Sequence, residues 1–376
     1  MEQKASYLSS FIERIYDETS LSIRRTTIFA GDQRYKPVLR SGRVNRILLY
    51  PGYFNPPHQG HLALLRYVFT QCKDHRNIIA AIVVPRDDNL LLRKCYGNNE
   101  TVRFTKDRRA SLWQGNGISS SWYWVYDRTE KEWVKFRSLL HEGFEKEGFI
   151  VKYTLLCGPD HVRVQSLPPV YSWDCEEIIV SDISRVADFV TPTGDNLATL
   201  QGCEPWFLVN FKMTKASEEK RNVSNIEVKS QIDSSRADTL STVSSPSMEA
   251  GGKWQLREEP RVAILMISDL SSLERITDGE PVGEASSGVA VWVCHRRDRT
   301  RAAIFFVPRK DKILNISSSQ IRSMIRNYPP NHLEKALIQE ALNPTILMTI
   351  LEEMGLASFQ DKIAHKSRFG KRNIEN

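Results

Sequence analysis

The chain has 376 residues, 41% hydrophobic and 26% charged, an ordinary globular composition that excludes a wholly disordered chain, a collagen-like fibre and a disulfide-dense miniprotein. Lys and Arg outnumber Asp and Glu by 52 to 45, and the net charge of +7 suits a nucleotide or another polyanion without requiring one. The six cysteines, at positions 72, 95, 157, 175, 203 and 294, form no C-x-x-C pair, so reduced thiols are expected rather than a zinc or redox motif. The first twenty residues lack a secretory apolar core and no run of about 18 apolar residues occurs. The expectation is a protein of the cytoplasm or nucleus with no membrane partner.

Residues 1–45 read as an N-terminal helical extension, with Tyr7, Leu8, Phe11, Ile12 and Ile15 at helical spacing, followed by a polar, basic connection. From Arg46 a short apolar run reads as a buried strand, followed by a Gly/Pro-rich turn and an apolar-periodic helix from His61. The apolar run 78–85 reads as a second strand, so strand, helix and strand make a parallel crossover unit. Residues 102–114 look helical, 120–128 read as an aromatic strand, and 129–147 as a charged amphipathic helix. Further strands are expected at 151–158, 175–184 and 301–308, then a helix from Ser317 and two C-terminal helices. This alternation predicts an α/β fold built on a Rossmann-like open parallel sheet, with a long insertion before the last strand.

The insertion spans about 190–300. Its centre, 214–252, is read as disordered, because residues 214–250 hold nine serines and no aromatic residue and are too polar to repay their ordering entropy. Strand-like runs at 205–213, 261–268 and 289–297 flank it and should decorate the main sheet or form a small subdomain. One α/β domain is therefore expected over 46–360, with a basic tail at 361–376 that is a solvated end or a nuclear-import signal.

The segment Leu49–Leu62 carries the first chemical pattern. Gly52 at a strand end lets the backbone approach a ligand, and Pro56 and Pro57 stiffen the turn. His58 and His61 straddle Gly60 where a helix begins. A helix N-terminus offers unpaired N–H groups and partial positive charge, and two imidazoles there can donate hydrogen bonds to phosphate oxygens. A metal pair is the competing reading, but helical zinc pairs need i, i+4 spacing and a third ligand.

The second pattern is N-I-S-S-S-Q-I-R, residues 315–322. Ser317, Ser318 and Ser319 at a helix start are N-caps or phosphate donors, and Arg322 on the first turn offers a planar donor fork.

G-Y-F-N-P-P-H-Q-G-H-L closely resembles the G-x-F-[ND]-P-x-H-x-G-H signature of the nucleotidylyltransferase superfamily, and residues 316–322 resemble its I-S-S-T-x-I-R signature, with Ser319 in place of Thr. The Asn55-Pro56 form looks like the branch holding nicotinamide and nicotinate mononucleotide adenylyltransferases. The resemblance implies AMP transfer from ATP to a pyridine mononucleotide, giving a dinucleotide of NAD type and pyrophosphate. It implies His58, His61 and Arg322 as catalytic residues. It also implies an ATP site at Gly52, Tyr53, Phe54, His58, His61, Lys94, Gly158, Asp160, Ser317, Ser318, Ser319 and Arg322, with Asn55, Trp122 and Trp173 toward the acceptor. Mg²⁺ is expected on the phosphates rather than in a protein cage, and self-association is implied.

Other segments leave two readings open. Arg93 and Lys94 in 85–95 reach a triphosphate or belong to a solvated loop. Arg108 and Arg109 look like a family region whose acidic residue is here Asp107. Trp122 and Trp124 are core packing or, for Trp122, a stacking surface for a pyridine ring. Gly158 and Asp160 follow a strand at the sheet's carboxyl edge, Cys157 beside them reads as an inert buried thiol, and 178–190 resembles the family's strand and arginine before the second signature. Much of the positive surplus, at Arg93, Lys94, Arg108, Arg109 and Arg322, is expected to face the triphosphate. Cytidylyl transfer, pantetheine-phosphate adenylyl transfer and a non-catalytic nucleotide-binding scaffold are the rival readings. The chain carries neither the R-T-x-G-I-S-T-T segment of cytidylyltransferases nor the K-M-S-K-S segment of class I aminoacyl-tRNA synthetases, and no nucleic-acid-binding motif is present.

Overall fold

Continuous apolar runs become strands covered on both faces, because each residue of such a run buries its side chain whichever way it points. In chain order the elements are β1 (Ala5–Tyr7), α1 (Leu8–Glu18), β2 (Val38–Arg40), β3 (Val44–Gly52), α2 (Gln59–Cys72), β4 (Ile78–Pro85), α3 (Asp88–Gly97), α4 (Lys106–Gln114), β5 (Tyr123–Val125), α5 (Glu130–Lys146), β6 (Ile150–Cys157), β7 (Glu177–Ser181), β8 (Phe207–Phe211), β9 (Val289–His295), β10 (Ala303–Val307), α6 (Ser318–Asn327), α7 (Pro330–Glu340) and α8 (Pro344–Glu353). The computed structural model describes residues 4–19, 28–29, 35–115, 121–169, 173–191, 196–211, 289–298, 300–310 and 315–356. They lie in one of the two units into which the chain divides, Met1–Phe211 with Arg275–Asp278 and Gly288–Asn376. The other unit, Lys212–Glu274 with Gly279–Ser287, lies outside the described residues, as do the serine-rich stretch 214–252, the apolar run 261–268 and the basic tail 361–376.

The main sheet has eight strands in the order β5-β4-β3-β6-β7-β10-β9-β8. Neighbours from β5 to β10 run parallel. Counted from β3, that is the 3-2-1-4-5-6 order of a doubly wound Rossmann-like sheet, and it reverses direction between β3 and β6. The expected parallel sheet is qualified at one edge, where β9 pairs antiparallel with β10 and β8 with β9. Both added strands come from the chain between β7 and β10, the place of the expected insertion.

One face of the sheet, presenting Ile47, Leu49, Ile82, Val84, Leu155, Ile178 and Ile304, is buried beneath α1 and α5. The N-terminal helix, read from sequence as an extension, contributes Leu8, Phe11, Ile12, Ile15 and Tyr16 to this main core. Phe11 packs on Phe144 with ring centroids 5.0 Å apart, and β1 pairs with β2 to tie the helix back to the chain before β3. Each such side chain contributes about 1.5–3 kcal/mol on burial. On the other face lie α2 and α4, and a smaller core joins α4 to the C-terminal helices through Leu112, Ile321, Leu337 and Leu347. Residues 88–97, read from sequence as part of a loop, form α3, since Leu91 and Cys95 fall four apart and are buried together.

The amino edge of the sheet is fastened by a buried ion cluster. Glu177 Oε2 accepts from Arg76 Nη2 at 2.5 Å, Arg46 Nε at 3.3 Å and Thr154 Oγ1 at 3.0 Å. The Arg76 guanidinium lies 3.6 Å from the centre of the Phe305 ring. Burial opposes ionisation of Glu177, yet Arg76 and then Arg46 hold its carboxyl down to about 2 from an ordinary 4.5. Because this pKa is depressed in the folded state, the stabilisation is present above pH 4.5 and fades as pH falls toward 2. Glu177→Ala leaves Arg76 buried without its counter-ion and should cost about 3–5 kcal/mol of stability at pH 7 by urea unfolding. The difference between wild type and variant should narrow below pH 4.5.

Candidate active site

Where the strand order reverses, the connections leaving β3 and β6 diverge, and the crevice between them opens at the carboxyl ends of the strands. A cavity of about 380 Å³ lies there, its floor made by Tyr50, Gly52, Leu155 and Gly158. Every residue expected at the ATP site lines it: Gly52, Tyr53, Phe54, His58, His61, Lys94, Gly158, Asp160, Ser317, Ser318, Ser319 and Arg322. Of the expected acceptor residues, Asn55 and Trp173 also line it.

The turn after β3 is held by packing. A Cβ on Gly52 would stand 2.5 Å from the Phe54 ring, so only glycine admits that ring. Phe54 has φ of +45°, a costly conformation for a bulky residue, and is locked by Tyr50, Trp113 and His61 with centroids 5.2, 5.1 and 5.0 Å away. Phe54 therefore also backs the His61 imidazole. The Asn55 side chain is occupied: Nδ2 donates to Val102 O and Oδ1 accepts from Phe104 N, each at 3.0 Å. Its amide pins the 102–104 loop with one of its two N–H donors and one oxygen lone pair.

His58 caps α2, and its backbone N–H donates to His61 Nδ1 at 3.1 Å. That bond makes Nδ1 of His61 an acceptor, so the neutral ring carries its proton on Nε2 as a donor. The two rings stack 3.6 Å apart. Burial, reinforced by Arg185, pushes His58 down to about 3; burial and the neighbouring His58 take His61 well below the ordinary histidine range. His58 Nδ1 is buried with no partner among the described residues. Gln59 and Gly60, at the first two helical positions, keep N–H groups that the helix itself cannot satisfy. A Cβ on Gly60 would meet the His58 ring at 3.1 Å and Ile316 O at 3.6 Å, which shows how closely this helix end approaches the segment leading into α6.

At the start of α6 the three hydroxyls divide their work. Ser317 caps the helix by accepting from Gln320 N at 3.2 Å. Ser318 Oγ donates to Pro56 O at 2.8 Å, and Ser319 Oγ accepts from Arg322 Nη2 at 3.0 Å. Ser318 has thus used its hydroxyl proton on the first motif, whereas Ser319 accepts and keeps its own O–H as a donor; both also offer backbone N–H groups at the helix N-terminus. Arg322 is set by Glu100, whose Oε2 accepts from Nε at 2.6 Å, and by Asn55 O, which accepts from Nη1 at 2.6 Å. Glu100 also accepts from Arg326 and from Val102 N, and although burial opposes its ionisation these partners hold its carboxyl below the ordinary range. Nothing in the sequence around Glu100 signals this anchoring role; it depends on α6 meeting the loop after α3.

The positive surplus is distributed otherwise than expected. Lys94 lines the cavity with Nζ 4.4 Å from the centre of the Tyr53 ring, and partial burial lowers its pKa, with Arg322 adding to the effect and Asp160 opposing it. Arg93 is exposed outside the cavity wall. Arg108 pairs with Glu353 at 3.3 Å. Arg109 is wholly buried and donates to Phe104 O, Tyr53 O, Arg86 O and Asp88 Oδ1, so it clamps the loops that frame the cavity and does not face a phosphate. Arg185, in the segment 178–190, does line the cavity, 3.7 Å from Asp160. Arg86 and Glu100 were not expected there; Arg86 follows the last residue of β4 at the carboxyl edge, a position that marks it in hindsight. Trp122 is not brought to the cavity. Its ring stacks on Phe69 at 4.4 Å, and Trp124 sits in the main core. Cys157 is buried and burial raises its thiol pKa to about 12, as suits an inert residue.

No family model and no curated protein matches the chain. Solved structures do. One is Plasmodium falciparum nicotinic acid mononucleotide adenylyltransferase complexed with NaAD, at 16% identity, covering 36% of this chain and 64% of that one, with a TM-score of 0.23. The same enzyme complexed with APC matches at 16% identity over 36% and 63%, with a TM-score of 0.22. A candidate nicotinate-nucleotide adenylyltransferase from Vibrio parahaemolyticus matches at 18% identity over 31% and 59%, with a TM-score of 0.18. The chain thus spans about three fifths of the length of the structures it matches.

The buried histidines make stability pH-dependent. A histidine depressed from 6.5 to about 3 binds its proton more readily when unfolded, so it destabilises the fold as pH falls through that window. His58→Gln removes this penalty. Its melting temperature should rise relative to wild type as pH is lowered from 7 to 4, whereas a constant offset across that range would contradict the buried, neutral state of His58.

Proposed function

We propose that this chain transfers AMP from ATP to the phosphate of a pyridine mononucleotide, nicotinamide or nicotinate mononucleotide, giving the dinucleotide and pyrophosphate. The observation that carries the reading is the meeting of two helix N-termini, one bearing His58 and His61 and the other Ser317–Ser319 and Arg322, over the switch point of a Rossmann-like sheet. Open N–H groups, neutral imidazoles and guanidinium donors around one cavity suit a polyphosphate and little else.

No side-chain nucleophile is required. A phosphate oxygen of the acceptor attacks the α-phosphorus in line as the bond to the β,γ-pyrophosphate breaks, so catalysis consists of positioning and charge stabilisation. His61, with its proton on Nε2, donates to the oxygens that gain charge, and buried His58 beside it supports the same region. The N–H groups of Ser318 and Ser319, the remaining donors of Arg322 and the Lys94 ammonium receive the departing pyrophosphate. Mg²⁺ fits as an ion delivered on the phosphates. Among the described residues no group of three His, Cys, Asp or Glu side chains stands ready to hold a metal, while the Asp160 carboxylate on the cavity wall is placed to accept from a hydrated ion. When bound, the ion neutralises phosphate charge.

Incubating the protein with Mg²⁺, labelled ATP or CTP, and each mononucleotide in turn should give dinucleotide and pyrophosphate with ATP alone. A CDP-linked product with an alcohol phosphate, or tight nucleotide binding without turnover, would overturn the reading. His61→Ala should lower kcat/KM by about 10²–10³-fold, the range found on removing one preorganised donor, with the circular dichroism spectrum retained; near-full activity in this variant would remove His61 from the mechanism.

A further inference from the structure

Arg86 lines the cavity beside the residues already described. Its backbone is fixed on both sides, the N–H donating to Gly52 O at 2.9 Å and the carbonyl accepting from buried Arg109 at 2.7 Å. Its side chain is oriented by one bond, Nε to Glu130 Oε1 at 2.7 Å. Glu130 is itself held, accepting from Asp87 N at 3.1 Å, so the guanidinium has a fixed direction. Both Nη groups are without a hydrogen-bond partner among the described residues.

The rings around it suggest what they meet. The guanidinium stands 5.4 Å from the Trp173 ring centre and 5.7 Å from that of Tyr53. Arg76 on Phe305, at 3.6 Å, shows what flat stacking looks like in this protein. At 5.4 and 5.7 Å Arg86 stands over its two rings more loosely, Lys94 Nζ also lies over Tyr53 at 4.4 Å, and Arg86, Tyr53 and Trp173 all line the cavity. Trp173 is set by its own carbonyl, which accepts from Arg137 Nη1 at 2.7 Å. Aromatic side chains and a fixed cationic fork lining one cavity fit a flat ring bearing an anionic substituent.

We infer that Arg86 is a specificity residue for the acceptor, its free Nη groups taking a carboxylate carried on the acceptor's aromatic ring while that ring lies against Trp173. The inference rests on the proposed adenylyl transfer and deepens it: of the two pyridine mononucleotides, the carboxylate form is the better substrate. A carboxylate presents two acceptor oxygens to the fork. A carboxamide presents one, and turns an NH₂ group toward N–H donors. The Glu130 carboxylate engages Nε only, so it offsets part of the positive charge without occupying the groups that read the substrate.

The test measures kcat/KM for nicotinate and nicotinamide mononucleotide with ATP and Mg²⁺, in wild type, Arg86→Gln and Arg86→Lys. Wild type should favour the carboxylate by about 10- to 100-fold, the worth of one to two charge-assisted hydrogen bonds. Arg86→Gln should abolish or invert that ratio, and Arg86→Lys, which keeps the charge but not the fork, should give an intermediate ratio. Equal use of the two acceptors by wild type, or preference for the amide, overturns the inference and leaves adenylyl transfer standing; so does a ratio unchanged in Arg86→Gln. If wild type turns over neither acceptor, the activity itself fails, and calorimetric titration of wild type with each mononucleotide decides the remaining question. Selective binding of the carboxylate then supports the role of Arg86, and binding of neither overturns it.

Discussion

The hydrogen bond from Ser318 Oγ to Pro56 O joins two helix starts that are 262 residues apart in the chain. With the bond from Arg322 Nη1 to Asn55 O, it fastens the second helix end to the turn that precedes the first. The cavity depends on this junction. Each helix end by itself would be a capped terminus exposing a few N–H groups to water. Held together, they converge their unsatisfied donors on one space, where water is restricted and charge interactions are strengthened.

The two edges of the sheet handle charge in opposite ways. At the amino edge Glu177 answers Arg46 and Arg76, and the cluster is closed on itself beside Phe305. At the carboxyl edge Lys94, Arg86, Arg185 and Arg322 face Asp160, Glu100 and, behind Arg86, Glu130, and several donors have no partner among the described residues. The imidazoles contribute no charge of their own, because burial keeps both neutral. A surplus of directed donors with little excess charge is a setting that a polyanion completes. It also keeps the fold from carrying several unpaired buried cations, which would be costly.

Rigidity around the cavity comes from polar side chains that bind the loops framing it. Arg109, buried at the centre of the loops, gathers the carbonyls of Tyr53, Arg86 and Phe104. Asn55 fixes the loop at 102–104, and Glu100 holds Arg322 from the same stretch of chain. These three polar residues stand where sequence reading sees binding groups, or nothing, and each is engaged in positioning. Burial makes the difference. A polar side chain enclosed with backbone carbonyls and N–H groups must satisfy them first.

From the sequence alone, the alternation of apolar runs with amphipathic helices was enough to specify the open α/β sheet, and local spacing was enough to place His58, His61, Ser317–Ser319 and Arg322 at helix starts. Those features follow from short-range periodicity and capping chemistry, which neighbouring residues settle among themselves. The tertiary structure alone decided which cations face the cavity, moved Trp122 away to stack on Phe69, and turned Asn55 and Arg109 into structural ties. It also set Arg86 beside Trp173 and brought Glu100 to Arg322. Such outcomes depend on which distant segments share a buried boundary, and a linear pattern carries no record of that contact until the sheet has folded.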